Sequence, residues 1–256
     1  MIPIENQKSN MKIFGLLGKN ISYSFSSGYF SEKFKDLNLE NHTYVNFDID
    51  AIEKLPELLK ENSTKINGMN VTIPYKQEVL QFVDEVDDEA AVIGAVNTIK
   101  FLENGATKGF NTDVYGFENS LKPLLNSQHT KALIFGTGGA SKAVAFALGK
   151  LHIDFIFVSR ESSSTNQITY SDLNEVIITE HTILINCTPL GTFPEVDLCP
   201  DIPYQFISSN HLLYDLIYNP SVTTFLKKGK DKGAEIKNGL EMLQLQAEKS
   251  WEIWNR

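Results

Sequence analysis

Short apolar runs alternate with amphipathic helical patterns along the chain from Met11 onward. Parallel strands need a long crossover connection, which a helix usually supplies, so this alternation predicts sheets built from strand–helix–strand units. The predicted strands are Lys12–Gly18, Thr43–Phe47, Ile66–Ile73, Ala95–Phe101, Ala132–Phe135, Phe155–Ser159, Thr182–Asn186 and Leu212–Leu216. The predicted fold class is therefore α/β with parallel sheets, and neither a sandwich nor a helical bundle.

Polar residues and one proline mark the expected starts of helices. Ser26 and Asp50 each precede apolar residues with a helical period, and both side chains are suited to act as N-caps. Pro74 suits the first turn of a helix, where its missing N–H costs nothing. Asp113 is expected to cap a helix over Val114–Leu125.

Two changes of character along the chain suggest two domains. A Gly/Asn turn at Gly109–Asp113 leads into a helix, and a charged stretch at Lys227–Lys237 precedes a last helix whose apolar stripe is expected to pack against a core. The prediction is an N-terminal α/β domain of residues 11–112, completed by the C-terminal helix within residues 238–256. Residues 113–237 form the inserted domain.

The composition argues against several functional classes. The 256 residues include 32 acidic and 23 basic side chains, and the formal net charge of −9 disfavours a nucleic-acid surface. Cys187 and Cys199 provide neither a disulfide framework nor a zinc spacing, so no metal site is expected. No apolar stretch reaches the roughly 18 residues of a membrane span. We expect a cytoplasmic protein with a small-molecule partner, as a monomer or a homodimer.

A glycine turn in the second half predicts a nucleotide site. It follows an apolar strand and opens a helix, which is the context in which such a turn binds a pyrophosphate. Gly136 permits the tight turn, and Gly138 lets the backbone approach the phosphates. Ser141 stands where a third glycine is usual. The candidate cofactor residues of this turn are Gly136, Gly138, Gly139, Ala140 and Ser141.

The residue after the next strand bears on which dinucleotide is bound. Arg160 follows Ser159 at about the place where NAD-binding domains carry an acidic residue for the ribose hydroxyls. A guanidinium matches the oxygens of a 2′-phosphate, so the sequence favours NADP over NAD. Glu161 follows immediately and makes this preference weaker.

Three clusters of amide, hydroxyl and charged side chains lie in the first half. They are Asn70–Lys76, Gly94–Thr98 and Gly109–Asp113, each at a predicted strand end or a glycine turn. Ligands bind at strand ends in parallel sheets, so the clusters suggest recognition of a hydroxylated ligand. Taken singly, the same residue types also cap helices and stabilise turns.

Six short motifs, in order, resemble the motif set of the shikimate dehydrogenase family. They are Ser24–Ser26, Asn70–Lys76, Gly94–Thr98, Asn111–Asp113, Gly136–Ser141 and Asn238–Gln246. The resemblance extends from about Gly15 to the terminal helix. It implies an N-terminal substrate-binding domain and an inserted Rossmann-type NADP-binding domain. The implied activity is the reversible, NADP-dependent reduction of 3-dehydroshikimate to shikimate, on the route to chorismate and aromatic amino acids.

The resemblance also implies roles for individual residues. Lys76 and Asp113 form a catalytic pair, in which the lysine donates or accepts the proton and the carboxylate holds the lysine and tunes its charge. Ser24 and Ser26 hold the substrate carboxylate. The other implied substrate residues are Asn70, Thr72, Asn97 and Gln246 on the ring hydroxyls, and Tyr218 near the carboxylate. The implied cofactor residues beyond the glycine turn are Ser159, Arg160 and Thr188.

Three other readings stay open at this point. Glu161 beside Arg160 favours a quinate/shikimate dehydrogenase that uses NAD as well as NADP. A nucleotide-binding module without turnover needs only the glycine turn, although the presence of both Lys76 and Asp113 disfavours it. A folate-linked dehydrogenase is disfavoured because it has no evident use for the Ser24 and Ser26 pair.

Overall fold

The chain divides into two compact units. The computed structural model describes residues 11–21, 24–62, 66–161 and 165–256. The first unit comprises the described residues up to Thr112 together with Ala247–Arg256, and the second is Asp113–Gln246. Each unit contains one six-stranded sheet. The division falls inside the last helix, so this helix begins in the second unit and ends in the first.

The sheet of the first unit is mixed. Its strands are β1 (Lys12–Gly18), β2 (His42–Asp48), β3 (Ile66–Val71), β4 (Glu85–Val86), β5 (Thr98–Phe101) and β6 (Thr107–Phe110), in the order β2-β1-β3-β5-β6-β4. β1 runs parallel to β2 and β3, as predicted. β5 runs antiparallel to both β3 and β6, so the expectation of a purely parallel sheet is wrong here. A tight turn, in which Gly105 has a φ of +85°, joins β5 to β6 and accounts for the antiparallel pairing of these two strands.

The sheet of the second unit is parallel throughout. Its strands are β7 (Lys131–Phe135), β8 (Asp154–Ser159), β9 (Gln167–Thr169), β10 (Ile183–Asn186), β11 (Leu212–Asp215) and β12 (Glu235–Lys237). The order is β12-β11-β10-β7-β8-β9. Read from the other edge, this is the doubly wound order 3-2-1-4-5-6 of dinucleotide-binding folds. The strand order reverses between β7 and β10, and ligands bind at the carboxyl ends of strands at such a point.

Eight α-helices are present in the described part of the chain. They are α1 (Phe25–Asp36), α2 (Leu55–Asn62), α3 (Asp88–Ile93), α4 (Asp113–Leu121), α5 (Gly139–Lys150), α6 (Glu175–Glu180), α7 (Thr224–Lys230) and α8 (Leu240–Trp254). Short 3₁₀ turns occupy Ile52–Lys54, Glu78–Phe82, Lys122–Leu124, Tyr170–Asp172 and Tyr204–Phe206. None of these helices is long and apolar enough to cross a lipid bilayer.

Neither Ser26 nor Asp50 is an N-cap in the structure. α1 begins at Phe25, so Ser24, whose backbone is extended, is its N-cap and Ser26 lies inside the first turn. Asp50 does not cap a helix, because Ala51 occupies the N-cap of the 3₁₀ turn. The Asp50 carboxylate instead forms an ion pair with Lys54 at 2.7 Å.

Two further helix predictions need correction. Pro74 lies in a turn closed by a bond from Tyr75 N–H to Thr72 O at 3.0 Å, and the turn continues into a 3₁₀ segment rather than an α-helix. Asp113 is the first residue of α4 rather than its cap. α4 also ends at Leu121, before the predicted end, because Pro123 has no N–H to continue the helical bonds.

Aromatic side chains connect α8 to the core of the first unit. The Trp254 ring lies 5.1 Å from the Phe14 ring and 5.3 Å from the Phe30 ring, centre to centre. Trp254 Nε1 donates to Ile99 O at 3.0 Å. A Cβ at Gly68 would lie 2.5 Å from the Trp254 ring, so only glycine permits this close approach. The terminal helix therefore packs against the core of the first unit, as its apolar stripe predicts.

Candidate active site

The glycine turn lies at the carboxyl end of β7, the first strand of the second sheet. Gly136 has a φ of +101°, a value that other residues rarely adopt. A Cβ at Gly136 would lie 3.2 Å from Thr188 Cγ2 and 3.3 Å from Cys187 O. The turn therefore contacts the loop that follows β10, and the structure brings two predicted cofactor residues, Gly136 and Thr188, together at the switch point of the sheet.

The N-terminus of α5 faces open space beside Gly138. Gly138 is the N-cap, and the first turn of α5 carries no acidic side chain. Within the described part of the chain, a Cβ at Gly138 would meet no atom within 4 Å. Both donors of Ser141 are directed at Gly138 O, its N–H at 3.1 Å and its Oγ at 2.7 Å, so this buried residue stabilises the turn. The remaining N–H groups of a helical first turn need acceptors, and a pyrophosphate would supply them.

The carboxyl end of β8 presents an exposed guanidinium. Ser159 ends β8, and Arg160 follows with an exposed side chain. Ser159 Oγ donates to Glu161 O, and Gln167 donates to both of these oxygens. The Ser159 hydroxyl therefore fixes the turn after β8. Arg160 is the residue of this turn that can meet a phosphate.

The loop after β10 is fixed by the side chain of Asn186. Its Oδ1 accepts from Thr188 N–H at 3.0 Å and from Thr188 Oγ1 at 2.6 Å. Cys187 lies between them, and burial raises the pKa of its thiol far above the usual range. A raised pKa favours the neutral thiol over the thiolate.

A buried carboxylate ends β11, next to β10. Asp215 accepts bonds from Asn186 Nδ2, Ile217 N–H and Thr223 Oγ1. Burial raises the pKa of Asp215 to about 6, and these donors oppose the rise. Tyr218 follows three residues later and is half-buried.

The hydroxyl of Ser24 is buried and has no hydrogen-bond partner within the described part of the chain. Among the described residues, Ser24 Oγ is the one buried side-chain polar atom that makes no hydrogen bond. Ser24 is the N-cap of α1, yet its side chain does not cap the helix. The first turn of α1 carries no acidic residue. An unpaired hydroxyl beside a helix N-terminus is an arrangement that suits a carboxylate.

A buried hydrogen-bond network holds Asn70, at the end of β3. Its Oδ1 accepts from Tyr44 Oη at 2.8 Å, and its Nδ2 donates to Ser250 Oγ at 3.0 Å and to Thr98 Oγ1 at 3.3 Å. Asn70 is 4% exposed, and both ends of its amide are occupied. This network fixes the Asn70 side chain at the end of β3, and its contact with the ring hydroxyls of a substrate stays a prediction.

Asn97 fixes the turn that leads to Asp113. Its Oδ1 accepts from Thr112 N–H at 2.7 Å, and its Nδ2 donates to Thr112 Oγ1 at 3.0 Å. Asp113, the next residue, is 6% exposed. Because both Asn97 and Thr112 are buried, this pairing sets the direction in which the chain enters α4.

The remaining predicted site residues lie in a turn and on α8. Thr72 and Lys76 are half-buried in the turn after β3. The backbone carbonyl of Lys76 accepts from Val96 N–H at 2.7 Å, which fixes the base of the lysine side chain. Gln246 on α8 is buried, and its Nε2 donates to Leu243 O at 3.0 Å.

Sequence reasoning missed several residues that build these sites. Tyr44 and Ser250 hold Asn70 from sequence separations of 26 and 180 residues, which no local pattern indicates. Asn186 and Asp215 could have been predicted as site residues, because each is a polar residue that directly ends an apolar strand.

The order of the second sheet and its glycine turn define a protein with a Rossmann-like nucleotide-binding unit, joined to a second α/β unit. Residues 16–99 match the family model of the shikimate dehydrogenase substrate binding domain. The chain is 39% identical to a curated protein of Methanococcus maripaludis named shikimate dehydrogenase (NADP(+)), over 96% of this chain and 92% of that protein. A protein of the same name from Clostridium beijerinckii is 40% identical, over 95% and 92% of the two chains.

Solved structures show the same relationship. Shikimate dehydrogenase from Aquifex aeolicus superposes with a TM-score of 0.85 and 33% identity, covering 100% of this chain and 94% of that one. A Thermus thermophilus shikimate 5-dehydrogenase, solved with NADP(H) and shikimate, gives a TM-score of 0.83 at 32% identity, over 95% and 93%. The chain belongs to the shikimate dehydrogenase family.

Proposed function

We propose that this protein is a shikimate dehydrogenase that reversibly reduces 3-dehydroshikimate to shikimate with NADPH, in the biosynthesis of chorismate and aromatic amino acids. The observation that carries this proposal is the 39% identity over 96% of the chain to a curated shikimate dehydrogenase (NADP(+)). The similarity includes both units, so the parts needed for substrate and for cofactor are both present.

The second unit is proposed to bind NADP. The open helix N-terminus at Gly138, Gly139 and Ala140 suits the pyrophosphate, and Ser141 supports the turn from behind. Arg160, exposed after β8, is proposed to pair with the 2′-phosphate. Thr188, in contact with the glycine turn, is proposed to lie beside the nicotinamide. The bound cofactor would supply the hydride. The chain's own residues must then orient the substrate and transfer one proton.

The carboxylate of the substrate is proposed to bind at the start of α1. Ser24 Oγ would gain there the hydrogen bond that it lacks, and Ser26 would donate beside it. Neutral hydroxyls can bind an anion without a basic surface, which agrees with the net charge of −9. Tyr218 is proposed to lie near the same carboxylate.

Lys76 is proposed to deliver the proton to the carbonyl oxygen, with Asp113 as its partner. In the reverse direction Lys76 would remove the proton from the hydroxyl. Thr72, Asn97 and Gln246 are proposed to bind the ring hydroxyls. The substrate domain is proposed to be residues 11–112 with 238–256, and the cofactor domain residues 113–237. A cytoplasmic location and a monomeric or homodimeric state complete the proposal.

The test is an assay of the purified protein with two cofactors and two acids. Shikimate and quinate are each supplied with NADP⁺ or NAD⁺, and the rise of the reduced nicotinamide absorbance is followed. We expect the largest kcat/KM with shikimate and NADP⁺. Larger values with quinate or with NAD⁺ would show the broader quinate/shikimate activity. No absorbance change in any combination would reject a dehydrogenase and leave a nucleotide-binding module.

A further inference from the structure

The carboxylate of Asp215 is fully buried and held by uncharged donors. Asn186 Nδ2 and Ile217 N–H donate to its Oδ1 at 3.1 and 3.0 Å, and Thr223 Oγ1 donates to its Oδ2 at 2.5 Å. The structure gives it no ion pair with any described lysine, arginine or histidine. Burying a carboxylate without a cation is unfavourable, so a residue with this environment needs a reason beyond packing.

Asp215 determines which way the Asn186 amide points. A carboxylate can only accept hydrogen bonds, so the amide must turn its Nδ2 toward Asp215. Its Oδ1 then faces the opposite side, where it accepts from both the N–H and the Oγ1 of Thr188. Asn186 Nδ2 also reaches Leu190 O at 3.3 Å, farther along the same loop. A reversed amide would place N–H groups against the donors of Thr188.

The Asn186 amide in turn fixes Thr188 against the glycine turn. Thr188 Oγ1 also accepts from Leu190 N–H at 3.3 Å, so both sides of the hydroxyl are engaged. The Thr188 methyl carbon lies 3.2 Å from the position that a Cβ of Gly136 would take. The Thr188 side chain therefore lies beside the glycine turn.

We propose that Asp215 is a positioning residue for cofactor binding. It orients the Asn186 amide, and Asn186 holds Thr188 at the edge of the nucleotide site. The same carboxylate holds Ile217 N–H, one residue before Tyr218, and so fixes the start of that loop too. The inference rests on the proposed function, since it assumes that the loop at Thr188 meets NADP.

The test exchanges the acceptor and the donor of the Asn186–Asp215 pair. In Asn186→Asp two carboxylates face each other, and we expect the Kd for NADP⁺ to rise at least about tenfold, as for the loss of one or two hydrogen bonds. In the double variant Asn186→Asp/Asp215→Asn an amide again meets a carboxylate, and an oxygen again faces Thr188. Ile217 N–H and Leu190 O lose their partners in that variant, so we expect partial recovery, with a Kd for NADP⁺ below that of Asn186→Asp but above that of wild type.

Binding is measured by calorimetry with NADP⁺ on the full chain, well below the unfolding temperature of each variant. The control is Asn174→Ala, which removes the N-cap bond of α6 from Asn174 to Ile177 N–H. It should lower stability but leave the Kd for NADP⁺ unchanged, so a loss of stability alone cannot imitate a positioning effect.

Each outcome of these binding experiments either supports or refutes the positioning role of Asp215. A wild-type Kd for Asn186→Asp, or a double variant that binds no better than Asn186→Asp, would overturn the inference. If Asn186→Asp does not fold, Asp215→Ala alone is decisive. It removes the oxygen to which Asn186 Nδ2 donates, so the amide loses the acceptor that orients it, and we expect the Kd for NADP⁺ to rise about threefold or more, whereas an unchanged Kd would refute the role. Wild-type protein that neither binds NADP⁺ nor oxidises shikimate would reject the proposed function instead.

Discussion

Replacing Ser24 by alanine is expected to weaken binding of the substrate acid without destabilising the fold. Removing an N-cap side chain usually costs about 0.5–2 kcal/mol of stability, because a cap bond is lost. Ser24 makes no cap bond, and its buried Oγ has no partner among the described residues. We therefore expect the free energy of unfolding to stay unchanged or to rise by up to about 1 kcal/mol, since an unpaired buried hydroxyl is removed.

The effect on binding follows from the bond that Ser24 would make to the substrate. A hydrogen bond to a charged group contributes about 1.5–3 kcal/mol, so its loss corresponds to a rise in the KM for shikimate of about 10- to 150-fold. The KM for NADP⁺ should not change. Urea unfolding and steady-state kinetics on the same preparation measure both quantities.

Asn174→Ala is the matched control for this experiment. Asn174 is also an N-cap, but its Oδ1 accepts from Ile177 N–H at 3.1 Å. Its alanine variant should lose about 1 kcal/mol of stability and keep the KM for shikimate. If Ser24→Ala instead lost stability like the control and kept its KM, Ser24 would be a structural residue, and the assignment of the carboxylate site would be wrong.

Three further predictions concern the lysine, the arginine and the buried aspartate. Lys76→Ala should lower kcat about 100- to 10,000-fold while exposed Lys232→Ala does not, and a change in KM alone would limit Lys76 to binding. Arg160→Ala should lower kcat/KM with NADP⁺ about tenfold or more and spare NAD⁺, and equal losses would remove Arg160 from phosphate recognition. Burial raises the pKa of Asp215 to about 6, so the folded protein keeps a proton that the unfolded chain releases near pH 4, and stability falls as pH rises between these values. Between about pH 4 and pH 7, the unfolding free energy of wild type should fall by up to about 3 kcal/mol more than that of Asp215→Asn. Urea titrations that give the same difference in unfolding free energy between the two proteins at every pH would contradict this. Cys187 and Tyr204 face the carboxylate, but burial raises the pKa of both, so they stay neutral over this range.

The sequence indicated four of the six strands in each sheet, but the expected parallel direction holds throughout only in the second. β10 and β11 are buried along their whole length and β7 is buried after Lys131, so each appears as an apolar run. β6 contains Lys108 and Gly109, and β12 has an exposed first residue, so neither shows such a run. Strand direction in the first sheet depends on the turn at Gly105, which apolar patterning does not report.

The same limit applies to the candidate site. The glycine turn was recognisable, because its strand, turn and helix are consecutive in sequence. Asn70 is polar and ends a strand, which the sequence shows, but its hydrogen bond to Ser250, 180 residues away, is not visible in any local pattern. The role of Asp215 depends on its place beside Asn186 on the neighbouring strand, which only the sheet register reveals.

The most direct test of the account is the identity and amount of the product. Purified protein is incubated with 3-dehydroshikimate and a limiting amount of NADPH, and the product acid is quantified by NMR while NADPH oxidation is followed by absorbance. The account predicts shikimate in equimolar amount to the NADPH consumed, and an initial rate of shikimate formation at least about 100-fold lower when Lys76→Ala replaces wild type. NADPH oxidation without shikimate, or no oxidation at all, would contradict it.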